Sequence, residues 1–511
     1  MTQLADWLTP LPDAEAMRAV DRWAIERRGV PSIDLMERAG AGAAREVESL
    51  APDGLVTVVC GKGNNGGDGF VVARLLREAG RDVVAVCVAP LQELRGDAAE
   101  NARRLPGEPA LTLADGREAI ARAAALVDAL LGTGSAGEPR GATAEAIDAI
   151  DACDAAVLAI DVPSGVDAST GVVASAAVHA TVTVTFHAAK PGLWVMPGKA
   201  YAGEVRTLDI GIPRGAPLQA EVGLIERRVV ERLPRRAGDT TKFASGQLVV
   251  AGGSRGLTGA ARMASHAAMR AGAGYVIACV PESLQDVLAA AATPELMTRG
   301  LPEEGAALAP AAVAGVVENI RPGGALALGP GLGRSDGAFQ FARALAREAH
   351  APIVLDADGL NAHAGRLHEL RARDEPTVLT PHTGELARLL ELDSEQIERE
   401  RLRHVRAAAA SSGAVVVLKG DDSLVATPAG KVAVSRGGSP ALATAGTGDV
   451  LTGVIGALLA QRLDPFLAAA AGVWLHAAAG RVAARRQNAP EGVIAGDVID
   501  ALPAARAEAG Q

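Results

Sequence analysis

The sequence predicts an α/β protein of two domains, each built on a mostly parallel sheet. The chain has 511 residues, which is too long for one ordinary hydrophobic core. Short Val/Ile-rich runs alternate with longer amphipathic stretches in two separate segments, and this alternation is typical of βα units. Between them lies 211–238, rich in Pro, Arg and Gly, so we expect domains at 1–225 and 226–511. The two halves show no obvious self-similarity, which indicates a fusion of different domains.

The individual elements follow from the hydrophobic pattern. In the first segment, the predicted strands are Val56–Cys60, Val83–Val88, Leu126–Ala129, Ala156–Ile160 and Thr181–Phe186. Helices are expected between them, as at Gly69–Ala79 and Thr143–Ala152. In the second segment, the predicted strands are Gln247–Ala251, Val276–Val280, Ala325–Leu328, Ile353–Leu355, Val378–Leu379, Val415–Leu418 and Ser423–Thr427.

Composition narrows the classes of function. The net charge of −10 argues against a general nucleic-acid-binding protein, which needs a basic face. No signal peptide is evident, and no run of about 18 uninterrupted apolar residues predicts a membrane span. The four cysteines lie far apart without a CxxC pair, as in a reduced cytosolic protein. We therefore expect a cytoplasmic protein without membrane partners, and its Ala-rich helical faces favour a homo-oligomer.

The strongest local signal is GKGNNGGDGF at Gly61–Phe70, directly after the strand VTVVC. A strand, a glycine-rich turn and a helix N-terminus form an anion site, because backbone N–H groups point outward and the helix dipole favours negative charge. Two asparagines and an aspartate within the turn add oxygen ligands of the kind that bind hard cations. The alternative is a Gly/Asn turn without a ligand. The motif is neither the GxGxxG of a dinucleotide fold nor a P-loop.

Polar turns also follow three later strands of the first half. LVDALLGTGSAGE places Asp128 at a strand end, AIDVPSGVDASTG places Asp161 and Ser164 at another, and ATVTVTFHAAKPGL ends a third. Each alone could be an Asx turn or a helix cap. Together they converge on the carboxyl edge of one sheet, which predicts a ligand site.

In this order, GKGNNGGDG, DALLGTG, DVPSGVD and TFHAAKPGL closely resemble the NAD(P)H-hydrate epimerase domain of the YjeF N-terminal type, over about residues 10–215. The resemblance implies a Rossmann-like αβα sandwich and potassium ligands at Asn65, Asp128 and Ser164. Asp161 would lie against the hydrated nicotinamide ring, and we predict that it is the acid/base of epimerisation. The residues implied to bind the hydrated cofactor, chiefly its phosphates, are Asn64, Asn65, Gly66, Gly67, Asp68, Gly132, Thr133, Gly134, Ser135, Ala136, Gly137 and Glu138.

Five motifs follow one another in the second half. They are AGGSRGLTGAA (Ala251–Ala261), ALALGPGLGRS (Ala325–Ser335), VLDADGLN (Val354–Asn361), LTPHTGE (Leu379–Glu385) and ATAGTGDVLTG (Ala443–Gly453). The last is the most informative, because small residues ending in GTGD at a helix start form an anion hole, with Asp449 inside the first turn. Helix capping alone is the alternative for this aspartate. KGDDS, between two strands, suits a nucleotide-binding turn or a simple hairpin turn.

These motifs resemble the ADP/ATP-dependent NAD(P)H-hydrate dehydratase domain, a ribokinase-like αβα fold, over about residues 240–505. The resemblance implies hydrate contacts from Ala260, Gly331, His382 and Asp449. The residues implied to contact the adenine nucleotide, which Mg²⁺ would accompany, are Lys419, Gly420, Asp421, Asp422, Ser423 and Gly448. Three features depart from the family pattern. The segment TTKFASG lacks His-Lys-Gly, the nucleotide loop ends in Ser423 instead of Thr, and SPA replaces Asn-Pro-Gly.

The chemistry of the second half follows from these parts. Asp449 would deprotonate or orient the ring hydroxyl for in-line attack on a terminal phosphoryl group, and the N–H groups of Ala445–Gly448 would stabilise its charge. The phosphate ester would then leave, pushed by the ring nitrogen, which restores NADH or NADPH. The resemblance to fused bacterial forms favours ADP over ATP. Epimerisation of the R and S hydrates would supply the S form to this step.

Two other classes of protein share parts of this pattern. A small-molecule kinase would phosphorylate an alcohol and release a stable ester, as ribokinase-like domains mostly do, but it would have no use for the first half. A non-enzymatic scaffold is the second alternative for the first half. The intact NNGGD loop with Asp128, Asp161 and Ser164 argues against that loss of chemistry.

Overall fold

The computed structural model describes residues 4–508, which form two compact units. Unit 1 contains Pro10–Gly223, and unit 2 contains Ala5–Thr9 and the described chain from Leu224 onward. The sequence-based division assigned the whole of 1–225 to the first domain. The structure differs because strand β1 (Leu8–Leu11) joins the edge of the second sheet beside Val222–Ile225.

Unit 1 is a seven-stranded, fully parallel sheet with the order β4-β3-β2-β5-β6-β7-β8. Its strands are β2 (Val56–Cys60), β3 (Val83–Cys87), β4 (Leu111–Thr112), β5 (Ala125–Ala129), β6 (Ala156–Ile160), β7 (Val182–Phe186) and β8 (Glu204–Leu208). Its α-helices are α1 (Ala14–Arg22), α2 (Ser32–Leu50), α3 (Asn64–Glu78), α4 (Gly96–Arg103), α5 (Leu113–Ala121), α6 (Ala142–Asp151) and α7 (Lys199–Ala202).

Helices cover both faces of this sheet. Successive residues of a strand point to opposite faces, so Val58 packs in the core with α2 and α3 while Val59 packs with α5 and α6. Strand β2 is buried at every residue, as expected for a parallel sheet covered on both sides. The predicted αβα sandwich is therefore confirmed.

Unit 2 is built on an eleven-stranded sheet with the order β1-β9-β20-β19-β18-β17-β16-β15-β10-β11-β12. Its further strands are β9 (Val222–Ile225), β10 (Gln247–Ala251), β11 (Tyr275–Pro281), β12 (Met297–Leu301), β13 (Glu303–Glu304), β14 (Ala307–Leu308), β15 (Ala325–Leu328), β16 (Ile353–Leu355), β17 (Thr377–Leu379), β18 (Val415–Leu418), β19 (Leu424–Ala426) and β20 (Val432–Val434). Pairing is parallel from β12 to β18, and β18, β19 and β20 are antiparallel neighbours. Strands β13 and β14 form a separate hairpin.

The α-helices of unit 2 pack closely on this sheet and on one another. They are α8 (Thr258–Arg270), α9 (Gln285–Ala291), α10 (Val313–Asn319), α11 (Asp336–Glu348), α12 (Asp358–Asn361), α13 (Thr383–Leu390), α14 (Ser394–Arg399), α15 (Arg401–Ser412), α16 (Thr447–Ala460), α17 (Pro465–Gln487) and α18 (Ala495–Glu508). A Cβ atom on Gly453 of α16 would lie 2.0 Å from the Ala264 carbonyl oxygen of α8, so this crossing requires glycine. Helix α17 has the length and apolar composition of a membrane span, but 72% of its most apolar window is buried inside the protein, as in a core helix.

One helix boundary corrects the sequence-based prediction. The first-half helix was expected to begin at Gly69, after a glycine-rich turn, whereas α3 begins at Asn64. The NNGGD segment is therefore the first turn of the helix. Its glycines allow this turn to pack against the end of β2, because a Cβ atom on Gly66 would lie 1.9 Å from the Gly61 carbonyl oxygen.

Candidate active sites

A cleft of about 710 Å³ opens at the carboxyl ends of strands β2, β5 and β6 of unit 1. The predicted cofactor-binding residues that line it are Asn64, Asn65, Asp68, Gly132, Thr133, Gly134, Ser135 and Asp161. Gly66 and Gly67 lie behind this wall and are fully packed, with Met36 Sδ 2.6 Å from where a Gly67 Cβ would be. Ala136, Gly137 and Glu138 follow the second loop but do not line the cleft.

The two glycine-rich loops are joined by a side-chain hydrogen bond. Asn65 Nδ2 donates to the Leu131 carbonyl oxygen at 2.9 Å. Its amide oxygen lies on the other side, 3.2 Å from the position that a Cβ atom on Gly132 would take. Glycine at 132 thus leaves room beside Asn65, and the first turn of α3 offers its free N–H groups to an anion in the cleft.

Asp161 lies in the cleft with a buried lysine. The Lys190 Nζ donates to Asp161 Oδ1 at 2.5 Å and to Thr185 Oγ1 at 2.8 Å, and its side chain is almost completely buried. Asp161 Oδ2 accepts a hydrogen bond from the Thr133 backbone N–H at 3.1 Å. The backbone of Asp161 is left-handed, with φ of 69°, which turns its carboxylate from the strand end into the cleft.

These contacts shift the pKa values of the carboxyl groups in the cleft in different directions. Burial by itself raises the pKa of Asp161, but the charge and hydrogen bond of Lys190 and the hydrogen bonds of Thr133 outweigh it, so the pKa is lowered. Asp68 has no such cation, and burial followed by repulsion from Asp161 and Asp21 raises its pKa well above the usual value. Burial also raises the pKa of Asp21, which lines the same cleft. The cleft therefore combines one carboxyl group of lowered pKa with two of raised pKa.

Of the implied potassium ligands, Asn65 lines the cleft, whereas Asp128 and Ser164 are buried and hydrogen-bonded to each other. Asp128 is fully buried, and its two oxygens accept hydrogen bonds from the Ser164 hydroxyl at 2.6 Å and the Ser164 N–H at 2.8 Å. The Ser164 hydroxyl also accepts from the Leu131 N–H at 2.9 Å. Burial raises the pKa of Asp128 to about 6, although the hydrogen bonds from Ser164 oppose this. Within residues 4–508 Asp128 forms no ion pair, so these oxygen ligands fit a monovalent cation that would neutralise it.

In unit 2, a buried aspartate organises the centre of the second candidate site. Asp356, at the end of β16, is 2% exposed and accepts hydrogen bonds from Thr380 Oγ1 at 2.9 Å and Thr452 Oγ1 at 2.7 Å. The Lys419 Nζ donates to it at 3.0 Å and lies 3.5 Å from Glu385. Burial by itself lowers the pKa of Lys419, but Asp356 and Glu385 outweigh it, so the pKa is raised. Lys419 is therefore a fixed cation.

Asp449 lies in the first turn of α16 beside this cluster. Helix α16 follows Gly446, whose left-handed φ of 89° turns the chain into the helix. A Cβ atom on Gly448 would lie 3.6 Å from the Lys419 Nζ, so the helix start and the lysine are neighbours. Burial and then repulsion from Asp356 raise the pKa of Asp449 to about 7, although Lys419 opposes this. A carboxylate with this pKa is suited to accept a proton near neutral pH.

His382 caps helix α13. Its Nδ1 accepts hydrogen bonds from the N–H groups of Gly384 at 3.0 Å and Glu385 at 3.3 Å, and Glu385 Oε2 accepts from the His382 N–H at 2.9 Å. These bonds assign the ring proton to Nε2, which lies 3.6 Å from Glu385 Oε1 on a half-exposed side chain. Burial lowers the pKa of His382, so a neutral ring presents an N–H donor to the site.

The KGDDS loop is a hairpin between β18 and β19, fixed by a buried ion pair. Asp422 is fully buried and lies 2.9 and 3.0 Å from the guanidinium of Arg401. Its carboxylate therefore pairs with Arg401, and the contact of Asp422 with the nucleotide stays a prediction. Ser423 Oγ donates to the Gly420 carbonyl oxygen at 2.7 Å, and Asp421 Oδ1 accepts from the Gly438 N–H at 3.1 Å. These hydrogen bonds hold the side chains of Asp421 and Ser423 against the backbone.

The remaining predicted hydrate contacts lie next to each other. Gly331 has a left-handed φ of 62°, and a Cβ atom there would be 2.5 Å from the Leu257 carbonyl oxygen and 3.0 Å from the Ala260 Cβ. Small residues at both positions leave space at the start of α8. Among residues 4–508, no group of three or more His, Cys, Asp or Glu side chains could bind a metal. Mg²⁺ that is bound together with phosphate oxygens needs only one or two carboxylates.

Sequence reasoning gave no role to Lys190, Asp356 or Glu385, although each lies inside a quoted motif. Lys190 occurs in TFHAAKPGL, Asp356 in VLDADGLN and Glu385 in LTPHTGE. Charged side chains are rarely buried unless they are paired. The position of these three charged residues shortly after predicted strands was the signal that could have identified them. No sequence signal marked Asp21 on α1, because its position in the cleft depends on the packing of that helix.

Comparisons with known proteins match the two parts of the chain to two different families. A family model described as NAD(P)H-hydrate dehydratase matches residues 248–504, and one described as YjeF-related protein N-terminus matches residues 32–192. The chain is 39% identical over 512 residues to the bifunctional NAD(P)H-hydrate repair enzyme Nnr of Moorella thermoacetica, with 96% of each chain covered. It is 41% identical over 529 residues to the enzyme of that name from Salinibacter ruber, covering 98% of this chain and 96% of the relative. A crystal structure of ADP/ATP-dependent NAD(P)H-hydrate dehydratase from Bacillus subtilis is 28% identical, with a TM-score of 0.48 over 55% of this chain and 96% of that one.

Proposed function

The chain belongs to the family of bifunctional NAD(P)H-hydrate repair enzymes, and on that premise we propose which of its residues perform each activity. It combines an NAD(P)H-hydrate epimerase with an ADP/ATP-dependent NAD(P)H-hydrate dehydratase. We assign epimerisation to the cleft of unit 1 and dehydration to the cluster around Asp449 in unit 2. The observation that supports these assignments most is that each site pairs a lysine with a carboxylate beside a second carboxyl group of raised pKa.

For the epimerase, we propose that Asp161 and Asp68 have different roles. Asp161 is paired with Lys190 and remains ionised, so it is suited to stabilise positive charge on the ring and is a poor acid. Asp68 lines the same cleft, is buried and has no hydrogen-bond partner within residues 4–508, which favours it as the proton donor. This refines the expectation that Asp161 is both acid and base.

The ring nitrogen supplies an electron pair, the bond between carbon and hydroxyl breaks, and the hydroxyl takes the proton of Asp68 and leaves as water. The positive charge on the ring faces the Asp161 carboxylate. Water then adds to the other face of the carbon and returns a proton to Asp68, which gives the opposite epimer.

Asp68→Asn tests this division of roles. We expect the variant to lose epimer exchange by a factor of about 10²–10⁴, the usual range for removing a general acid or base. Asp97→Asn, which lines the same cleft, is the matched control and should keep the activity. NMR of the two hydrate epimers at equilibrium measures the exchange rate, and an unchanged rate in Asp68→Asn would remove this residue from the role.

For the dehydratase, we propose that Asp449 accepts the proton of the ring hydroxyl as its oxygen attacks the terminal phosphoryl group. Lys419, held by Asp356 and Glu385, supplies a fixed positive charge beside the start of α16. The free N–H groups of the first turn of α16 stabilise charge on the phosphoryl group in transfer. The phosphate ester then leaves with the electron pair of its carbon–oxygen bond as the ring nitrogen donates its own pair. Loss of a ring proton restores the reduced cofactor.

Two ions accompany these assignments. We propose that K⁺ binds the oxygens of Asn65, Asp128 and Ser164, where its charge would neutralise Asp128 and fix both glycine-rich loops. Mg²⁺ would enter with the nucleotide and neutralise its phosphates. We further propose that ADP is preferred, that the hydrates of both NADH and NADPH are substrates, and that the protein is a cytoplasmic homo-oligomer.

Absorbance of restored NADH or NADPH tests both activities together. The full chain would receive a mixed-epimer hydrate preparation with Mg²⁺ and either ADP or ATP. Complete, nucleotide-dependent conversion of both epimers is expected, with the faster nucleotide identifying the donor. Asp161→Asn should convert only one epimer and Asp449→Asn neither. Conversion of both by Asp161→Asn would overturn the epimerase assignment, and conversion by Asp449→Asn would overturn the base.

A further inference from the structure

A cavity of unit 2, with a volume of about 630 Å³, lies away from the residues assigned to dehydration. It is formed at the C-terminal ends of helices α8 and α16, where Arg270, Gly272 and Gln461 line it. Ala260 and Asp449 lie at the N-terminal ends of the same two helices. Because these helices contain 13 and 14 residues, the two places are roughly 20 Å apart.

The lining of this cavity is strongly basic. It contains Arg235, Arg236, Arg270 and Arg506. Arg270 pairs with Asp500 at 3.5 Å, whereas the other three arginines form no ion pair within residues 4–508. Burial lowers the pKa of Arg506, and the nearby charges of Arg236 and Arg235 lower it further. Three guanidinium groups thus repel one another around one space.

Helix capping accounts for only part of this charge. Arg506 donates to the Ala271 carbonyl oxygen at 3.0 Å and Arg236 to the Gly272 carbonyl oxygen at 3.1 Å, at the end of α8. A helix C-terminus has a charge equivalent of about −0.5, so the ends of α8 and α16 compensate about one of the three positive charges. About two remain, in a chain whose net charge is −10. An excess of this size, concentrated in one cavity, favours an anionic ligand.

We propose that this cavity binds a phosphorylated small molecule with at least two negative charges, separately from the dehydration site. Guanidinium groups match the oxygen geometry of phosphate with paired hydrogen bonds. Apolar side chains complete the wall, among them Leu233, Pro234 and Met269, which would contact the body of a nucleotide or a similar metabolite. The volume lies within the range of about 300–1,000 Å³ that small-molecule sites occupy.

Calorimetric titration of the full chain with inorganic pyrophosphate tests the proposal. Arg235→Glu reverses one charge of the cavity without removing a helix cap. Arg347→Glu, an exposed residue of α11 paired only with Glu348, is the matched control. We expect one binding event per chain to weaken about tenfold or more in Arg235→Glu, since a charge-assisted contact is lost. The control should bind as the wild type does, and Arg235→Glu should keep the rate of ADP-dependent dehydration. Equal pyrophosphate binding by both variants would overturn the proposal.

A measurement on the unaltered protein removes any dependence on folding of the variant. Phenylglyoxal modifies accessible arginines, and peptide mass spectrometry reports the extent at each one. Pyrophosphate should protect Arg235, Arg236 and Arg506 and leave Arg347 unprotected. Protection that is absent at the three cavity arginines, or equal at all four positions, would contradict a site at this place.

Discussion

Replacement of Lys190 by methionine should destabilise unit 1 by a predictable amount. The lysine is 1% exposed, and its Nζ lies 2.5 Å from Asp161 Oδ1. Methionine keeps most of the side-chain length, so the variant mainly removes the cation and leaves the Asp161 carboxylate buried and unpaired. Removing one partner of a buried ion pair costs about 3–5 kcal/mol. We expect the free energy of unfolding at neutral pH to fall by about that amount.

The loss should depend on pH with a defined sign. In the wild type the pKa of Asp161 is lowered, so the pair stabilises the fold above the unfolded pKa of aspartate and this stabilisation is lost as pH falls. In Lys190→Met, burial is no longer opposed by a cation, and the pKa of Asp161 rises. Because the unfolded states titrate alike, the stability difference between wild type and variant should shrink as pH falls from the raised pKa of Asp161 in the variant to its lowered pKa in the wild type, a range that includes the unfolded value of about 4.

Urea unfolding of the full chain at several pH values measures both effects. Four proteins form a cycle: wild type, Lys190→Met, Asp161→Asn and the double variant. Because asparagine removes the unpaired charge, the double variant should be more stable than Lys190→Met alone. Lys62→Met, an exposed lysine of the same cleft, is the control and should change stability little. Additive losses in the cycle, or a loss in Lys190→Met that does not vary with pH, would refute the reasoning.

Three further predictions concern unit 2. Asp449→Asn should abolish dehydration and keep epimer exchange, as followed by NADH absorbance and by NMR; residual dehydration would contradict its role as base. Burial and repulsion from Asp356 raise the pKa of Asp449 to about 7, so the wild-type dehydration rate should increase with pH through that value. A dehydration rate that does not change between pH 5 and pH 9 would contradict this. Arg401→Ala should leave Asp422 buried without its partner and lower the free energy of unfolding by about 3–5 kcal/mol, with weaker nucleotide binding in calorimetry; an unchanged protein would show that the pair does not fix the loop.

The sequence was sufficient to predict where the two candidate sites lie. Val/Ile runs marked the parallel strands, and ligand sites of open α/β sheets lie at their carboxyl ends. Asp128 and Asp161 follow two such strands directly, so their convergence required only the strand order. Strands β5 and β6 are parallel neighbours, so the strand ends that carry Asp128 and Asp161 lie side by side.

The electrostatics of the sites required the structure. Lys190 follows Asp161 by 29 residues, and nothing local shows that its side chain turns back under the strand end to reach it. The family resemblance implied that Asp422 contacts the nucleotide, but nothing local showed that its carboxylate pairs with Arg401 of α15. Both cases depend on contacts between residues distant in sequence, which a local pattern does not encode. The antiparallel edge of the second sheet, completed by β1, was missed for the same reason.

The left-handed backbone at Asp161 also limits how this position can diverge among related proteins. A φ of 69° is tolerated by glycine and, among other residues, chiefly by asparagine and aspartate. A descendant that no longer needed the carboxylate could keep this turn with Asn or Gly, whereas most other residues would strain the loop that precedes Ser164. Asparagine or glycine at this position would therefore distinguish a domain that has kept its architecture and lost its chemistry, and it can be recognised from a single sequence.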